Sequence, residues 1–74
     1  MTAAEAVAGA HRDGRALVLA ATVRVVRDVG VAEECVQEAY AAALVAWPVD
    51  GVPANPVGWL TTAARRSART CGRR

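Results

Sequence analysis

Hydrophobic residues recur every three or four positions in three stretches of the chain. The first stretch predicts a helix over residues 3–28, opened by a capping box of Thr2 and Glu5. Gly14 weakens the middle of this helix, so two shorter helices are an alternative. The β-branched run Thr22–Val26 would suit a strand, but the chain offers no second strand to pair with it. We therefore interpret the first stretch as helical.

The second stretch has the clearest helical pattern of the three. It predicts a helix over residues 31–47, with Gly30 ending the first segment and Pro48 stopping the second. Five residues of this helix share one face and are predicted to belong to the core: Val36, Tyr40, Ala43, Leu44 and Trp47.

The third stretch follows a predicted loop over residues 48–55. Asn55 and Pro56 together signal a helix start, because Asn caps a helix N-terminus and Pro fits its first position. At about 100° per residue, one side of this helix is apolar and the opposite side is cationic. The apolar side holds Leu60, Ala64, Ala68 and Cys71, and the cationic side holds Arg65, Arg66, Arg69 and Arg73.

Length and composition agree with one small helical domain. At 74 residues the chain is too short for a multi-domain enzyme, and alanine, the best helix former, is its commonest residue. The fold is therefore predicted to be all-α, a compact bundle of three to four helices. The sequence begins with no secretory signal and contains no apolar run long enough to span a membrane. We expect a cytoplasmic protein, without membrane contact, that keeps Cys35 and Cys71 reduced.

Charge divides the chain into two unequal parts. Residues 1–50 carry four Arg against seven acids, whereas residues 51–74 carry five Arg and no acid. A basic end favours nucleic acid as a partner. Cations near a helix C-terminus also complement the helix dipole, so a solvated helix end is the alternative.

Patterns of catalytic and metal-binding residues are missing from the sequence. His11 is the single histidine and Ser67 the single serine, which leaves a catalytic triad without partners nearby in sequence. His11 is better explained as an ordinary polar residue on the first helix. Cys35, Cys71 and His11 lack the spacing of zinc ligands, and no glycine-rich phosphate loop occurs. We expect no enzyme, no cofactor and no metal.

Two motifs resemble bacterial extracytoplasmic-function sigma factors, a branch of the sigma-70 family. Residues 31–48, VAEECVQEAYAAALVAWP, resemble region 2.2 of that family, and residues 50–65, DGVPANPVGWLTTAAR, resemble regions 2.3 and 2.4. The resemblance implies a sigma region 2 domain over residues 1–74. Its parts would be region 2.1 at about 3–28, region 2.2 at about 31–47, a loop at 48–55, and regions 2.3 and 2.4 at about 56–74.

The resemblance also implies two partners, core RNA polymerase and promoter DNA. In the family, region 2.2 docks on the clamp helices of the polymerase β′ subunit; the matching residues here are Glu33, Glu34, Gln37 and Glu38. Regions 2.3 and 2.4 hold the non-template strand of the minus-ten element. The residues placed there are Asn55, Trp59, Arg65, Arg66, Arg69 and Arg73. An anti-sigma factor is a further expected partner. For Trp59, a position in the core is the alternative to a DNA contact.

The chain departs from the family pattern near its end. The family commonly has Asn and Asp where Arg66 and Thr70 stand, and apolar residues where Arg69 and Gly72 stand. The family's second domain, region 4, has no counterpart in these 74 residues, so we expect a truncated sigma factor, a fragment or a stand-alone region 2. Two alternatives stay open. One is a helical interaction module that binds the clamp or another basic partner without opening DNA; the other is a basic-tailed nucleic-acid binder.

Overall fold

Three helices make up most of the computed structural model, which describes residues 2–71 and the side chains of residues 2–69. Helix α1 spans Ala3–Val26, α2 spans Val29–Asp50 and α3 spans Pro56–Cys71. Each helix packs against the other two, and the described residues contain no strand. The all-α prediction is confirmed, with three helices.

Helix α1 begins with the predicted cap and runs without a break. The Thr2 hydroxyl accepts a hydrogen bond from the backbone N–H of Glu5 at 3.1 Å. Gly14 is buried where α1 meets α3, and a Cβ atom built on it would lie 2.5 Å from a methyl carbon of Val57. Gly14 therefore permits a close approach of two helices, and the alternative of two shorter helices is wrong.

The junction between α1 and α2 differs from the prediction. Arg27 adopts the left-handed conformation, with φ of 60°, and its N–H closes α1 on a carbonyl one turn back at 2.7 Å. Asp28 then caps α2 by accepting a hydrogen bond from Val31 N–H at 3.1 Å. Gly30 lies inside the first turn of α2, so the prediction that it ends the first segment is wrong. The Asp28 carboxylate is the stronger signal because it satisfies a free N–H group of the helix end.

The C-terminal end of α2 also lies later than predicted. Pro48 does not stop the helix, which continues to Asp50. Gly51, with φ of 92°, ends it by donating its N–H to the Trp47 carbonyl at 2.9 Å. Proline removes one helical hydrogen bond, and within the last turn the remaining bonds still hold the helix. The loop accordingly shortens from 48–55 to 51–55.

Helix α3 follows the sequence prediction closely. The Asn55 side-chain oxygen accepts a hydrogen bond from Gly58 N–H at 3.0 Å, as the Asn–Pro signal predicted. The predicted apolar side is buried at Leu60, Ala64 and Ala68. The side chain of Cys71 lies outside the described side chains.

The core forms where the three helices meet. Four residues of the predicted α2 face are buried in it: Val36, Tyr40, Ala43 and Trp47. Leu44 was predicted to join them, yet its side chain is 51% exposed. Residues four apart on a helix differ by about 40° in direction. Leu44 therefore points about 40° further round the helix than Tyr40 does, toward solvent.

Candidate functional site

The four residues that the family resemblance assigns to the polymerase contact lie on one broad face of α2. At about 100° per residue they fall within about 140° of the helix circumference. Glu33 is half-buried, and the other three, Glu34, Gln37 and Glu38, are exposed. Among the described residues none of these carboxylates forms an ion pair. The face is therefore acidic and open to a basic partner.

A cleft of about 300 Å³ joins this acidic face to α1. Glu33 and Gln37 line its α2 wall, and His11 and Arg15 line its α1 wall. The sequence predicts His11 to be an ordinary polar residue of α1 and predicts no binding role for Arg15. Their spacing of four residues places both on one face of α1, which is the only sequence signal for this wall.

Tyr40 of α2 also lines this cleft and contacts α1. Its hydroxyl donates a hydrogen bond to the carbonyl oxygen of Ala10 at 3.2 Å, and its ring meets His11 edge to face at 5.0 Å. Burial raises the pKa of Tyr40 above its ordinary value, and the nearby positive charge of Arg15 opposes this rise. Tyr40 therefore stays a neutral donor that holds α2 against α1.

Trp59 belongs partly to the core and partly to the surface. Its ring packs edge to face on Trp47, with centroids 5.4 Å apart and an angle of 72° between the planes. Trp47 is buried, and its indole N–H has no hydrogen-bond partner among the described residues. Trp59 is half-buried against the core, which agrees with the core role considered as its alternative. The rest of its ring reaches the surface.

A second groove, of about 520 Å³, lies beside the exposed part of the Trp59 ring. Its lining consists of Asn55, Gly58, Trp59, Thr62, Ala63 and Arg66. Asn55, Trp59 and Arg66, which the family resemblance assigns to the DNA contact, therefore line one groove. Arg65 and Arg69 are exposed on α3 outside its lining, and Arg73 lies outside the described residues.

The loop 51–55 also borders a larger cleft. That cleft, of about 740 Å³, lies between the loop and the first half of α1. Small and apolar side chains line most of it, and Glu5, Arg12 and Asp13 supply its charges. Arg12 and Asp13 form an exposed ion pair at 3.6 Å. No prediction from the sequence concerned this cleft.

The chemistry of these surfaces suits binding. A cation, an aromatic ring and an amide around one groove can hold a phosphate and a base of a single strand. An acidic helix face suits a basic protein surface. Residues 2–71 contain no group of three side chains arranged to hold a metal ion. Among the described helices, none is both long enough and apolar enough to cross a membrane.

Comparison with known proteins identifies the family. The family model for sigma-70 region 2 matches residues 11–74, which include most of α1 and all of α2, the loop and α3. No curated protein and no solved structure matches the chain. Region 2 domains are non-enzymatic parts of sigma factors that bind RNA polymerase and recognise promoter DNA in transcription initiation. The chain belongs to the sigma-70 region 2 family.

Proposed function

We propose that this chain binds the β′ clamp helices of core RNA polymerase through α2 and holds the non-template strand of the minus-ten element through α3. The groove beside Trp59 carries the proposal, because it combines the cation and the aromatic ring that single-strand binding uses, with the amide of Asn55 beside them. The proposal places the protein in the extracytoplasmic-function branch and in the cytoplasm. An anti-sigma factor would act by covering one of these surfaces.

The polymerase contact rests on the acidic face of α2. Glu34, Gln37 and Glu38 point into solvent, so a partner reaches them without displacing a neighbour. Glu33 stands at the edge of the α1–α2 cleft. Basic side chains on the clamp would find four adjacent polar groups, three of them carboxylates, and such charge complementarity increases the association rate.

The DNA contact rests on a ring that is already oriented. Because Trp47 fixes the plane of Trp59, stacking a base on the exposed part of the ring costs little ordering of the side chain. Arg66 in the same groove would meet a phosphate. The Asn55 oxygen is occupied by the helix cap, so its NH₂ group would donate to a base or phosphate. Arg65, Arg69 and Arg73 would extend the phosphate contacts along α3.

The polymerase contact is tested by measuring the affinity of the labelled chain for core RNA polymerase by fluorescence anisotropy. The variant Glu34→Arg with Glu38→Arg should lose binding. The matched control is Asp13→Arg with Asp50→Arg, which makes the same charge change at exposed acids outside the face. Equal affinities for the two variants would disprove the α2 contact.

The DNA contact is tested with the polymerase complex on fork-junction DNA that has a single-stranded non-template minus-ten element. Each arginine on a single-strand phosphate contributes about −0.7 to the log–log slope of affinity against salt. Arg65→Ala with Arg69→Ala should therefore reduce the slope by about 1.4. Arg12→Ala with Arg24→Ala is the matched control on α1. Unchanged DNA affinity in the α3 variant, with polymerase binding intact, would favour the interaction module instead.

A further inference from the structure

The cleft between α1 and α2 has the composition of a small-molecule site. Its volume of about 300 Å³ lies at the lower end of the range of ligand pockets, which is about 300–1,000 Å³. More than half of its lining residues are apolar, and the others are polar or charged. The apolar residues are Leu19, Val36, Tyr40, Ala41 and Leu44, and the polar ones are His11, Arg15, Glu33 and Gln37. Ligand sites commonly combine an apolar lining with a few polar groups in this way.

The charged groups of this cleft have no partner within the described part of the protein. Arg15 lies on the α1 wall and Glu33 on the α2 wall, and neither forms an ion pair there. The described residues also supply no hydrogen-bond partner to the side chains of His11 and Gln37. The Tyr40 hydroxyl, in contrast, already donates to a backbone carbonyl of α1. A ligand in the cleft would therefore meet a cation on one wall and a carboxylate on the other.

Leu44 gives the cleft an apolar edge that the fold does not use. Its side chain is 51% exposed, although the helical pattern predicted it for the core, and it lines the cleft together with the half-buried Leu19. A ligand with an apolar side chain would remove part of this surface from water, which is favourable. The exposure of Leu44 thus agrees with an apolar group on the ligand.

We propose that this cleft binds a free α-amino acid with an apolar side chain, such as leucine. The carboxylate of the ligand would meet Arg15, its ammonium group would meet Glu33, and its side chain would cover Leu44. Hydrogen bonds between ionised groups are the strong ones, and an acid or an amine alone would form only one of the two pairs. A polypeptide lacks this pattern, because amide bonds consume the α-amino and α-carboxyl groups of its internal residues.

This binding does not depend on the proposed polymerase contact. The cleft shares Glu33 and Gln37 with the acidic face of α2, but the ligand is bound by the chain alone. Failure of the chain to bind polymerase would therefore leave the amino-acid site standing, and the reverse also holds.

The test is a proton NMR titration of the full chain with leucine, after circular dichroism has verified folding. His11 and Tyr40 are the single histidine and the single tyrosine of the chain, and both line the cleft. Their ring signals therefore report occupancy directly. Both sets of signals should shift with one dissociation constant, on the order of 1 mM for a ligand as small as leucine.

Three relatives of leucine separate the contacts. Isoamylamine lacks the carboxylate, isocaproate lacks the ammonium group, and glycine lacks the apolar side chain. Each should bind at least about tenfold more weakly than leucine, because each loses one charged hydrogen bond or the apolar contact.

Two substitutions assign the charges to their residues. Arg15→Gln should lose the preference for leucine over isoamylamine, because the carboxylate has lost its partner. Glu33→Gln should lose the preference for leucine over isocaproate, because the ammonium group has lost its partner. The matched controls are Arg24→Gln and Glu38→Gln, at exposed positions of the same two helices outside the cleft lining. Both controls should keep the preferences of the wild-type chain.

Three results would overturn the proposal. A folded chain whose His11 and Tyr40 signals do not move with leucine has no such site, as when Arg15 and Glu33 pair with each other in solution. Equal affinity of the wild-type chain for leucine and for isocaproate or isoamylamine would show a site for an acid or an amine alone. Loss of the preferences in the control variants as well would place the binding outside the cleft.

Discussion

Replacing Gly14 with alanine tests how closely α1 and α3 approach each other. Gly14 is buried, and an added Cβ would lie 2.5 Å from the Cγ2 atom of Val57. Carbon atoms pack at about 3.5–4.0 Å, so the new methyl group overlaps the valine. Valine in a helix has essentially one side-chain rotamer, and therefore cannot turn away cheaply. The overlap must move α3 or strain Val57.

Two opposing effects set the size of the change. Alanine is favoured over glycine inside a helix by about 1 kcal/mol, whereas overpacking a tight site costs about 1–3 kcal/mol. We expect Gly14→Ala to lower the free energy of unfolding by about 1 kcal/mol. Gly9→Ala is the control in the same helix. Its nearest neighbour beyond the helix backbone is an Arg12 nitrogen at 3.8 Å, so only the helix gain of about 1 kcal/mol remains.

The assay is urea unfolding followed by circular dichroism at 222 nm, with equal m-values required for comparison. A double-mutant cycle with Val57→Ala isolates the overlap, because that variant removes both methyl groups of the valine. In the Val57→Ala background, Gly14→Ala should raise the free energy of unfolding by about 1 kcal/mol, which is the same gain that we expect for Gly9→Ala.

The test depends on whether the effect of Gly14→Ala on the free energy of unfolding changes sign when Val57 is replaced by alanine. If Gly14→Ala stabilises the wild-type chain as much as Gly9→Ala does, the helices do not approach as closely as described. If Gly14→Ala stays destabilising after Val57→Ala, the overlap with Val57 is not the cause.

Three further predictions concern the α1–α2 junction and Tyr40. Arg27→Gly should raise the free energy of unfolding by about 0.5–1 kcal/mol. Glycine removes the strain of a left-handed non-glycine backbone, and this gain exceeds the entropy cost of the more flexible unfolded chain. A lower melting temperature would contradict this. Asp28→Ala should lower the free energy of unfolding by about 1 kcal/mol in urea titrations, since Val31 N–H loses its partner, while Asp28→Asn should retain most of the stability. Burial raises the pKa of Tyr40, so above about pH 10 the unfolded chain loses the phenol proton first and stability falls as pH rises. Because Tyr40 is the single tyrosine, absorbance at 295 nm reports its ionisation directly, and Tyr40→Phe should remove this part of the pH dependence; a native midpoint at or below that of the urea-unfolded chain would refute it.

Local signals in the sequence were sufficient for much of the fold. The hydroxyl of Thr2 and the amide of Asn55 begin α1 and α3 as predicted, because a cap acts on N–H groups only two or three residues away. The apolar period of α3 likewise identified its buried side, since Leu60 and Ala64 lie on the face that meets both neighbours.

The two wrong boundaries involved competing local signals. Gly30 and Asp28 both suggest an end between α1 and α2, and the carboxylate determined the start of α2 because it makes a hydrogen bond that glycine cannot make. Pro48 was predicted to stop α2, but a proline in the last turn removes one hydrogen bond and leaves the bond from Gly51 to Trp47 intact.

By itself, the sequence determined three helical stretches, an acidic face on the second and a basic side on the third, because helix periodicity and charge are properties of short segments. It left open whether the first stretch forms one helix or two. Only the tertiary structure decided which parts of those faces adjoin. It placed His11, Arg15 and Glu33 around one cleft, and it set Trp59 against Trp47 at the edge of the groove. The physical reason is that a helical pattern identifies a face, whereas the packing angle and the depth of approach between helices decide which residues of that face are covered.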